Sequence, residues 1–271
     1  SQNLAREKRL VIRIHQQEVV KRARRFPPKF AMDNIDAITC VADHIRDKAI
    51  ADFGWEDQCD RIHVTPNYLN TEIFDRPKRD EARFRIAIIG VVPSQHKRLD
   101  LALDLIEQLR AEDPRFELVI KGKLPKDIPW MANRTDEVEF YEKQFARLEQ
   151  PLLKGGISFS EFDPRLAAWY QGIGSVISPS NFESFHYSIA EGAASGALPV
   201  VWPWQGAELA YPNEWIVGDV AEAKERILAH MGERFDDFAE QATANKEYLA
   251  GRYGLERVLG ELTTILLDDE R

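Results

Sequence analysis

Asn181-Phe-Glu-Ser-Phe-His-Tyr-Ser-Ile-Ala-Glu-Gly-Ala-Ala-Ser-Gly-Ala-Leu-Pro-Val-Val201 is the stretch on which the reading of this chain turns. It lies between two strand-like runs, Ser175 to Ser178 and Leu198 to Trp202, and its middle has the spacing of a short helix from Ser184 to Ala194. Glu183 and Glu191 stand eight residues apart and bracket the start of that helix. A helix N-terminus offers unpaired backbone N–H groups to an anion, and a carboxylate further along accepts hydrogen bonds from hydroxyls. From His186 to Glu191 the helical rise is about 7.5 Å, comparable with the separation of a diphosphate from the ribose hydroxyls of one nucleotide. The plain alternative is an amphipathic helix with two exposed glutamates, and the surrounding sequence decides between them.

Working outward toward the N-terminus, Leu10-Val-Ile-Arg-Ile-His, Ala37-Ile-Thr-Cys-Val-Ala and Arg61-Ile-His-Val read as buried strands. Asp43 to Gly54 between them reads as a helix closed by glycine. Residues 70 to 84 are polar, contain a proline and read as a linker. A second alternation follows, with strands at Arg85 to Gly90, Glu117 to Gly122, Ile157 to Phe162, Ser175 to Ser178, Leu198 to Trp202 and Trp215 to Val217. Helices are expected at Leu99 to Arg110, Val138 to Leu153, Leu166 to Gln171, Ser184 to Ala194 and Val220 to Met231, with Phe235 to Tyr253 and Leu255 to Leu267 closing the chain. Repeated βα units with short connections predict an α/β fold built on a doubly wound, Rossmann-like parallel sheet with right-handed crossovers. A partial second α/β domain precedes it. The expected units are residues 1–74, 75–233 and 234–271, the last a pair of helices returning toward the N-terminal part. Ligands bind such sheets at the carboxyl ends of the strands, and each polar cluster named here follows a strand.

Composition narrows the function. Of 271 residues 44% are hydrophobic and 30% charged, as in ordinary globular proteins. No apolar run approaches the roughly 20 residues needed to span a bilayer, and the start has no apolar signal core, so a cytoplasmic location is the default expectation. Cys40 and Cys59 are too few and too differently placed for a disulfide framework or a metal site. The net charge of −9 argues against nucleic acid as the main partner. Residues 1 to 31 nevertheless hold nine Lys or Arg against two Glu. Their densest part, Val19-Val-Lys-Arg-Ala-Arg-Arg-Phe-Pro-Pro-Lys-Phe, mixes basic and aromatic residues and is either a peripheral contact with an anionic membrane face or a solvated surface.

After the strand at Arg85 the loop reads Gly90-Val-Val-Pro-Ser-Gln-His-Lys-Arg-Leu-Asp. Gly90 permits close backbone approach, and Lys97 with Arg98 can neutralise a diphosphate. Cations at a helix start oppose the helix dipole, which favours an anion site over a merely solvated turn. The loop has no G-x-G-x-x-G and no P-loop, and the chain has no D-x-D, H-E-x-x-H or C-x-x-C pattern. Diphosphate binding without a metal and without a cofactor is the consistent expectation.

Taken in order, these residues resemble the nucleotide-sugar-binding half of retaining glycosyltransferases with the GT-B fold, of the family 4 or group 1 type. Ile62-His-Val-Thr-Pro-Asn-Tyr-Leu-Asn-Thr-Glu-Ile-Phe resembles the segment that links the two domains of that family. Gly90 with Lys97 resembles its phosphate loop, and Ser178-Pro-Ser-Asn-Phe-Glu-Ser-Phe its donor site. Glu183 to Glu191 matches its E-x7-E motif, and Gly196-Ala-Leu-Pro-Val-Val the strand that follows; Gly206-Ala-Glu stands at a glycine-rich turn. The resemblance implies that Glu191 accepts hydrogen bonds from the ribose and Glu183 approaches the transferred sugar. It further implies that Lys97 stabilises the departing diphosphate with backbone N–H groups around Phe185 and His186, and that configuration is retained. The donor so implied is a nucleotide-diphosphate sugar and the acceptor a glycan or lipid-linked group.

The chain departs from that pattern in several places. His186 stands where the family usually has glycine, Val91 where a basic residue commonly follows the phosphate-loop glycine, and Lys97 one position late, which leaves Lys97 and Arg98 both open as the diphosphate contact. Lys121-Gly-Lys replaces a second glycine turn. The roughly 70 residues before the linker are fewer than an acceptor domain of that family, so the chain reads as part of a longer enzyme. In the segment Arg13-Ile-His-Gln-Gln-Glu, His15 and Glu18 are the candidates to face the acceptor. Two other readings stand beside the transferase: a module that binds donor without catalysis, and a nucleotide-sugar epimerase of the same fold.

Overall fold

The computed structural model describes residues 9–20, 22–90, 95–129, 131–161, 163–232 and 235–267. Two parallel sheets organise the chain. The first is formed by β1 (Val11–Ile14), β2 (Ala37–Cys40) and β3 (Ile62–Val64) in the order β1-β2-β3, with α1 (Gln16–Val20) and α2 (Asp43–Phe53) between the strands. Ile14, Ile38, Cys40 and Ile62 pack against Ile45 and Ala49 of α2. Gly54, at φ 69°, ends α2 in the left-handed conformation that glycine adopts without steric cost.

The second sheet carries β4 (Arg85–Ile89), β5 (Glu117–Lys121), β6 (Ile157–Ser160), β7 (Ser175–Ser178) and β8 (Leu198–Val201), ordered β6-β5-β4-β7-β8 and parallel throughout. Its helices are α3 (Leu99–Glu112), α4 (Thr135–Ala146), α5 (Leu166–Tyr170), α6 (Tyr187–Ala194), α7 (Ala207–Ala210) and α8 (Val220–Gly232), followed by α9 (Phe235–Tyr253) and α10 (Leu255–Leu267). Strand alternation sorts the side chains by face. Ile86, Ile88, Leu118, Ile120, Ile177 and Val200 face α3, α4 and α8, whereas Ala87, Val119, Val176 and Val201 face α6 and α9. Both faces are therefore covered, which is why these strands read as continuous apolar runs. Close approach on the second face depends on Gly192, where a Cβ would lie 2.5 Å from Val176. Strand order reverses between β4 and β7, the point of such a sheet at whose carboxyl ends ligands bind.

Several elements differ from the sequence reading. Trp215 to Val217 is not a strand: Asn213–Trp215 is a 3-10 turn following Pro212, and only a single bridge pairs Ile216 with Val201. The helix expected from Val138 to Leu153 runs instead from Thr135 to Ala146 and tightens into a 3-10 turn at Arg147–Glu149. The helix expected from Ser184 begins at Tyr187. Segment 70 to 84, read as a linker, packs on the second sheet's helices: Phe74 lies edge-on against Tyr170 at 5.7 Å, and Lys78 donates to the carbonyls of Tyr170 (2.8 Å) and Ile173 (2.7 Å) and to Ser195 Oγ (2.9 Å). Burial lowers the Lys78 pKa to about 7.

The closing helices pack on α6 and reach the segments that flank the first sheet. α9 buries Leu249 and Tyr253 against α6, and the Tyr253 carbonyl accepts from Leu69 N at 2.7 Å. In α10 the Ile265 carbonyl accepts from Arg9 Nε at 3.1 Å. The basic N-terminal segment forms short 3-10 turns in which Arg24 pairs with Asp52 at 3.2 Å and Arg25 lies over the half-exposed Phe26 ring; Lys21 lies outside the described residues. Among the described residues no helix is long and apolar enough to cross a membrane.

Candidate functional site

At the reversal of strand order, the segment after β4 and the loop between β7 and α6 meet. Gly90 leaves β4 at φ 74°, with open space where a Cβ would stand. Val91 and the rest of 91–94 lie outside the described residues. The chain re-enters as a 3-10 turn, Gln95–Lys97, and the His96 carbonyl accepts from Asn181 N at 2.8 Å, tying the two loops together. Arg98 at φ 52° and His186 at φ 56° are the two non-glycine residues with positive φ among the described residues. They precede α3 and α6 respectively, so the positive-φ non-glycine residues of the described chain both lie where strand order reverses.

Lys97 and Glu183 form an ion pair there, their side chains 13% and 7% exposed. Ser180 Oγ donates to the same carboxylate at 2.8 Å. Burial works against ionisation of Glu183, but the neighbouring His186 and Lys97 and the hydrogen bonds from Lys97 and Ser180 outweigh it and hold the carboxyl at about 2. The His186 ring lies beneath the ammonium, with Nε2 3.4 Å from Lys97 Nζ and Nδ1 2.5 Å from Ser178 Oγ. Burial and the Lys97 charge press its pKa down to about 4, so the ring is neutral near pH 7. The ring also donates to the Ile89 carbonyl, so Ser178, Lys97 and Ile89 together hold it in place.

Of the two cations that the sequence left open, Lys97 turns to Glu183, whereas Arg98 grips Asp100 with two nitrogens at 3.0 and 2.9 Å and reaches Asn181 Oδ1 at 3.2 Å. Phe185 is an anchor: its ring is buried 4.7 Å from Tyr253, and Tyr211 donates to the Phe185 carbonyl at 2.5 Å and the His186 carbonyl at 3.2 Å. That fixes the turn from which the first N–H groups of α6, which lack intrahelical acceptors, emerge. Glu191, in the second turn of α6, lies on another side. Tyr170 Oη donates to it at 3.2 Å, and burial raises its pKa to about 7 against the pull of that hydrogen bond. It lines a cavity of about 420 Å³ with Phe74, Arg76, Pro164 and Leu166.

His15 and Glu18 are not brought into this cluster. Glu18 turns back to accept from the His15 backbone N at 2.9 Å and so caps its own short helix. The residue between them that does reach the site is Gln16, whose Nε2 donates to the Phe182 carbonyl at 3.2 Å. Sequence reasoning also missed His44, which donates to the Glu183 carbonyl at 2.8 Å, and Tyr170 beneath Glu191. Tyr170 had a signal in Ala168-Trp-Tyr-Gln before a strand. Gln16 and His44 had none, because their partners lie 166 and 139 residues away.

Comparison with known proteins agrees with this architecture. The family model described as glycosyl transferases group 1 matches residues 83–233. Among solved structures, TarM of S. aureus superposes with a TM-score of 0.73 at 16% identity, over 96% of this chain and 50% of TarM. Anabaena Alr3699/HepE, solved with UDP and glucose, superposes with a TM-score of 0.72 at 15% identity, over 95% of this chain and 71% of that protein. A UDP-forming α,α-trehalose-phosphate synthase from Burkholderia xenovorans gives 0.70 at 14%, over 96% and 68%. The shared fold is that of GT-B glycosyltransferases, and the chain spans about half the length of TarM. No curated protein matches the chain in sequence.

Proposed function

Because the chain belongs to the glycosyl transferases group 1 family, we propose that it transfers a sugar from a nucleoside diphosphate sugar to a carbohydrate or lipid-linked acceptor with retention of configuration. The observation that carries this reading is the buried Lys97–Glu183 pair at the carboxyl ends of β4 and β7, directly before the α6 N-terminus. A cation, a helix N-terminus and a permanently ionised carboxylate at one point suit a diphosphate beside a hydroxylated ring. Lys97 and the first N–H groups of α6 receive the diphosphate, Glu191 the ribose hydroxyls, and Glu183 a sugar hydroxyl. The positive charge that stabilises the leaving diphosphate comes from the protein, without a metal. UDP, bound in HepE, is the first base to test.

Front-face attack fits this arrangement, with the departing phosphate taking the acceptor's proton while Lys97 offsets its charge. The basic, aromatic segment around Arg25 and Phe26 is the proposed contact with an anionic membrane face.

Calorimetric titration of UDP-, GDP-, ADP- and dTDP-sugars against the chain and against Glu191→Ala tests the donor site. The expected result is saturation by one donor, weakened at least about ten-fold by the substitution. Equal affinity in both proteins removes the role given to Glu191. The anomeric proton of the product, read by NMR, tests retention. Saturation with no transfer to any acceptor turns the assignment toward a donor-binding module.

A further inference from the structure

Two consecutive carbonyls of the loop that carries Glu183 are held from the other sheet. Gln16 of α1 donates to the Phe182 carbonyl at 3.2 Å, and His44, in the first turn of α2, donates to the Glu183 carbonyl at 2.8 Å. His44 is 5% exposed, with its ring edge-on to Phe182 at 5.8 Å and 6.0 Å from Trp204. Gly206 closes the space behind it: a Cβ there would stand 2.1 Å from His44 Nδ1, and its φ of 90° itself disfavours any other residue. A ring that donates from Nε2 to a carbonyl is the Nε2–H tautomer when neutral, and burial, opposed by that hydrogen bond, lowers its pKa.

The other end of the same glutamate is held differently. Its carboxylate is fixed by Ser180 and Lys97, both of which belong to the second sheet's loops. Glu183 is thus gripped through its main chain by one unit and through its side chain by the other. Neither grip duplicates the other, since hydrogen bonds to a carbonyl set the path of the loop and those to the carboxylate set a rotamer.

We propose that Gln16 and His44 are positioning residues that index the Glu183 loop to the N-terminal sheet, so that this carboxylate takes up its working place only while the two sheets are docked. The functional half of this statement rests on the reading of Glu183 as the sugar-side carboxylate. Misplacement of a reacting group by about 1 Å costs up to about a hundred-fold in rate, so a main-chain clamp of this kind acts on turnover more than on donor affinity.

His44→Phe keeps an aromatic ring against Phe182 and Trp204 and removes the donor, whereas His44→Gln keeps a donor and removes the ring. A packing role is served by Phe; a clamp is served by Gln. Amide hydrogen exchange across residues 180–186 of the full chain is expected to quicken about ten-fold in His44→Phe and by less than about two-fold in His44→Gln, with β5 and α3 unchanged in both. With UDP-glucose as probe, kcat falls about ten-fold in His44→Phe at nearly constant KM, and His44→Gln recovers most of it. Unchanged loop exchange in His44→Phe, or equal quickening in both variants, overturns the clamp. Quicker exchange with unaltered turnover overturns the positioning role. Quicker exchange in a protein whose wild type turns over none of the four nucleotide sugars leaves the clamp standing and counts against the proposed reaction instead. Should His44→Phe fail to fold, Gln16→Ala removes the other grip from an only partly buried position and is read by the same exchange measurement.

Discussion

The loop before α6 and the second turn of α6 each carry a glutamate, and the two regions put the same side chain into opposite electrostatic states. Glu183 is the more buried, yet its carboxyl is held at about 2, because His186, Lys97 and Ser180 meet it. Glu191 is less buried, yet burial raises its carboxyl to about 7, because the neutral Tyr170 hydroxyl that donates to it offsets only part of the cost of desolvation. Burial alone does not set ionisation; the presence or absence of a cation does. The first region is a fixed anion, and the second titrates near neutrality.

Removing the cation breaks this contrast most severely. Lys97→Met leaves Glu183 as an uncompensated buried charge and is expected to cost about 3 to 5 kcal/mol in urea denaturation at pH 7. The double variant Lys97→Met with Glu183→Gln should recover much of that loss, since no ionised group is left behind. Equal losses in the single and double variants would mean that the ammonium acts through packing. Wild-type stability supplies the matching acid limit: because the folded pKa of Glu183 lies below the ordinary value, its contribution is present above about 4.5 and disappears as pH falls toward about 2.

Glu191 has the reverse sign. Its folded pKa is raised, so the folded state holds the extra proton and stability declines as pH rises from about 4.5 through about 7, after which the loss is constant. Glu191→Gln cannot ionise and should match wild type near pH 4.5. It should exceed it by about 2 kcal/mol at pH 8, after discounting for the water that reaches the side chain. Donor affinity should move the other way. With Glu191 in its proposed place at the ribose, the ionised carboxylate accepts both hydroxyls, so a UDP-sugar, whose diphosphate does not titrate in this range, is expected to bind about five-fold more tightly at pH 8 than at pH 6, and the Gln variant to show a flat profile. A flat profile in wild type would place the ribose elsewhere.

The same contrast explains what the sequence could and could not disclose. The strands were legible because both faces of the second sheet are covered, so Ile86 to Ile89 and Val176 to Ile177 run without polar interruption. Glu183, Glu191 and Lys97 were legible as candidates because each follows a strand. Their ionisation was not, because it depends on Ser180 reaching forward three residues and on Lys97 crossing 86 residues to meet Glu183. The start of α6 was misplaced because Ser184 has the chemistry of an N-cap, whereas His186 occupies that place in a left-handed conformation for which no local pattern argues. Trp215 to Val217 has strand composition, but Pro212 and Asn213 turn the chain first.

His186 offers the finest test, because two opposing terms meet in it. At φ 56° a histidine carries backbone strain of about 1 kcal/mol that glycine would not. The ring is nevertheless fully used, 6% exposed, with Ser178 on one nitrogen and Lys97 near the other. His186→Gly therefore gains the strain and loses the packing and the Ser178 bond, for a net destabilisation of about 1 kcal/mol in urea. His186→Asn tolerates the left-handed backbone and retains a short polar group toward Ser178, so it should fall between wild type and the glycine variant. If His186→Gly is instead more stable than wild type, the imidazole contributes nothing to the fold, and its place between Ser178 and Lys97 has to be accounted for by what it does to the ammonium beside Glu183.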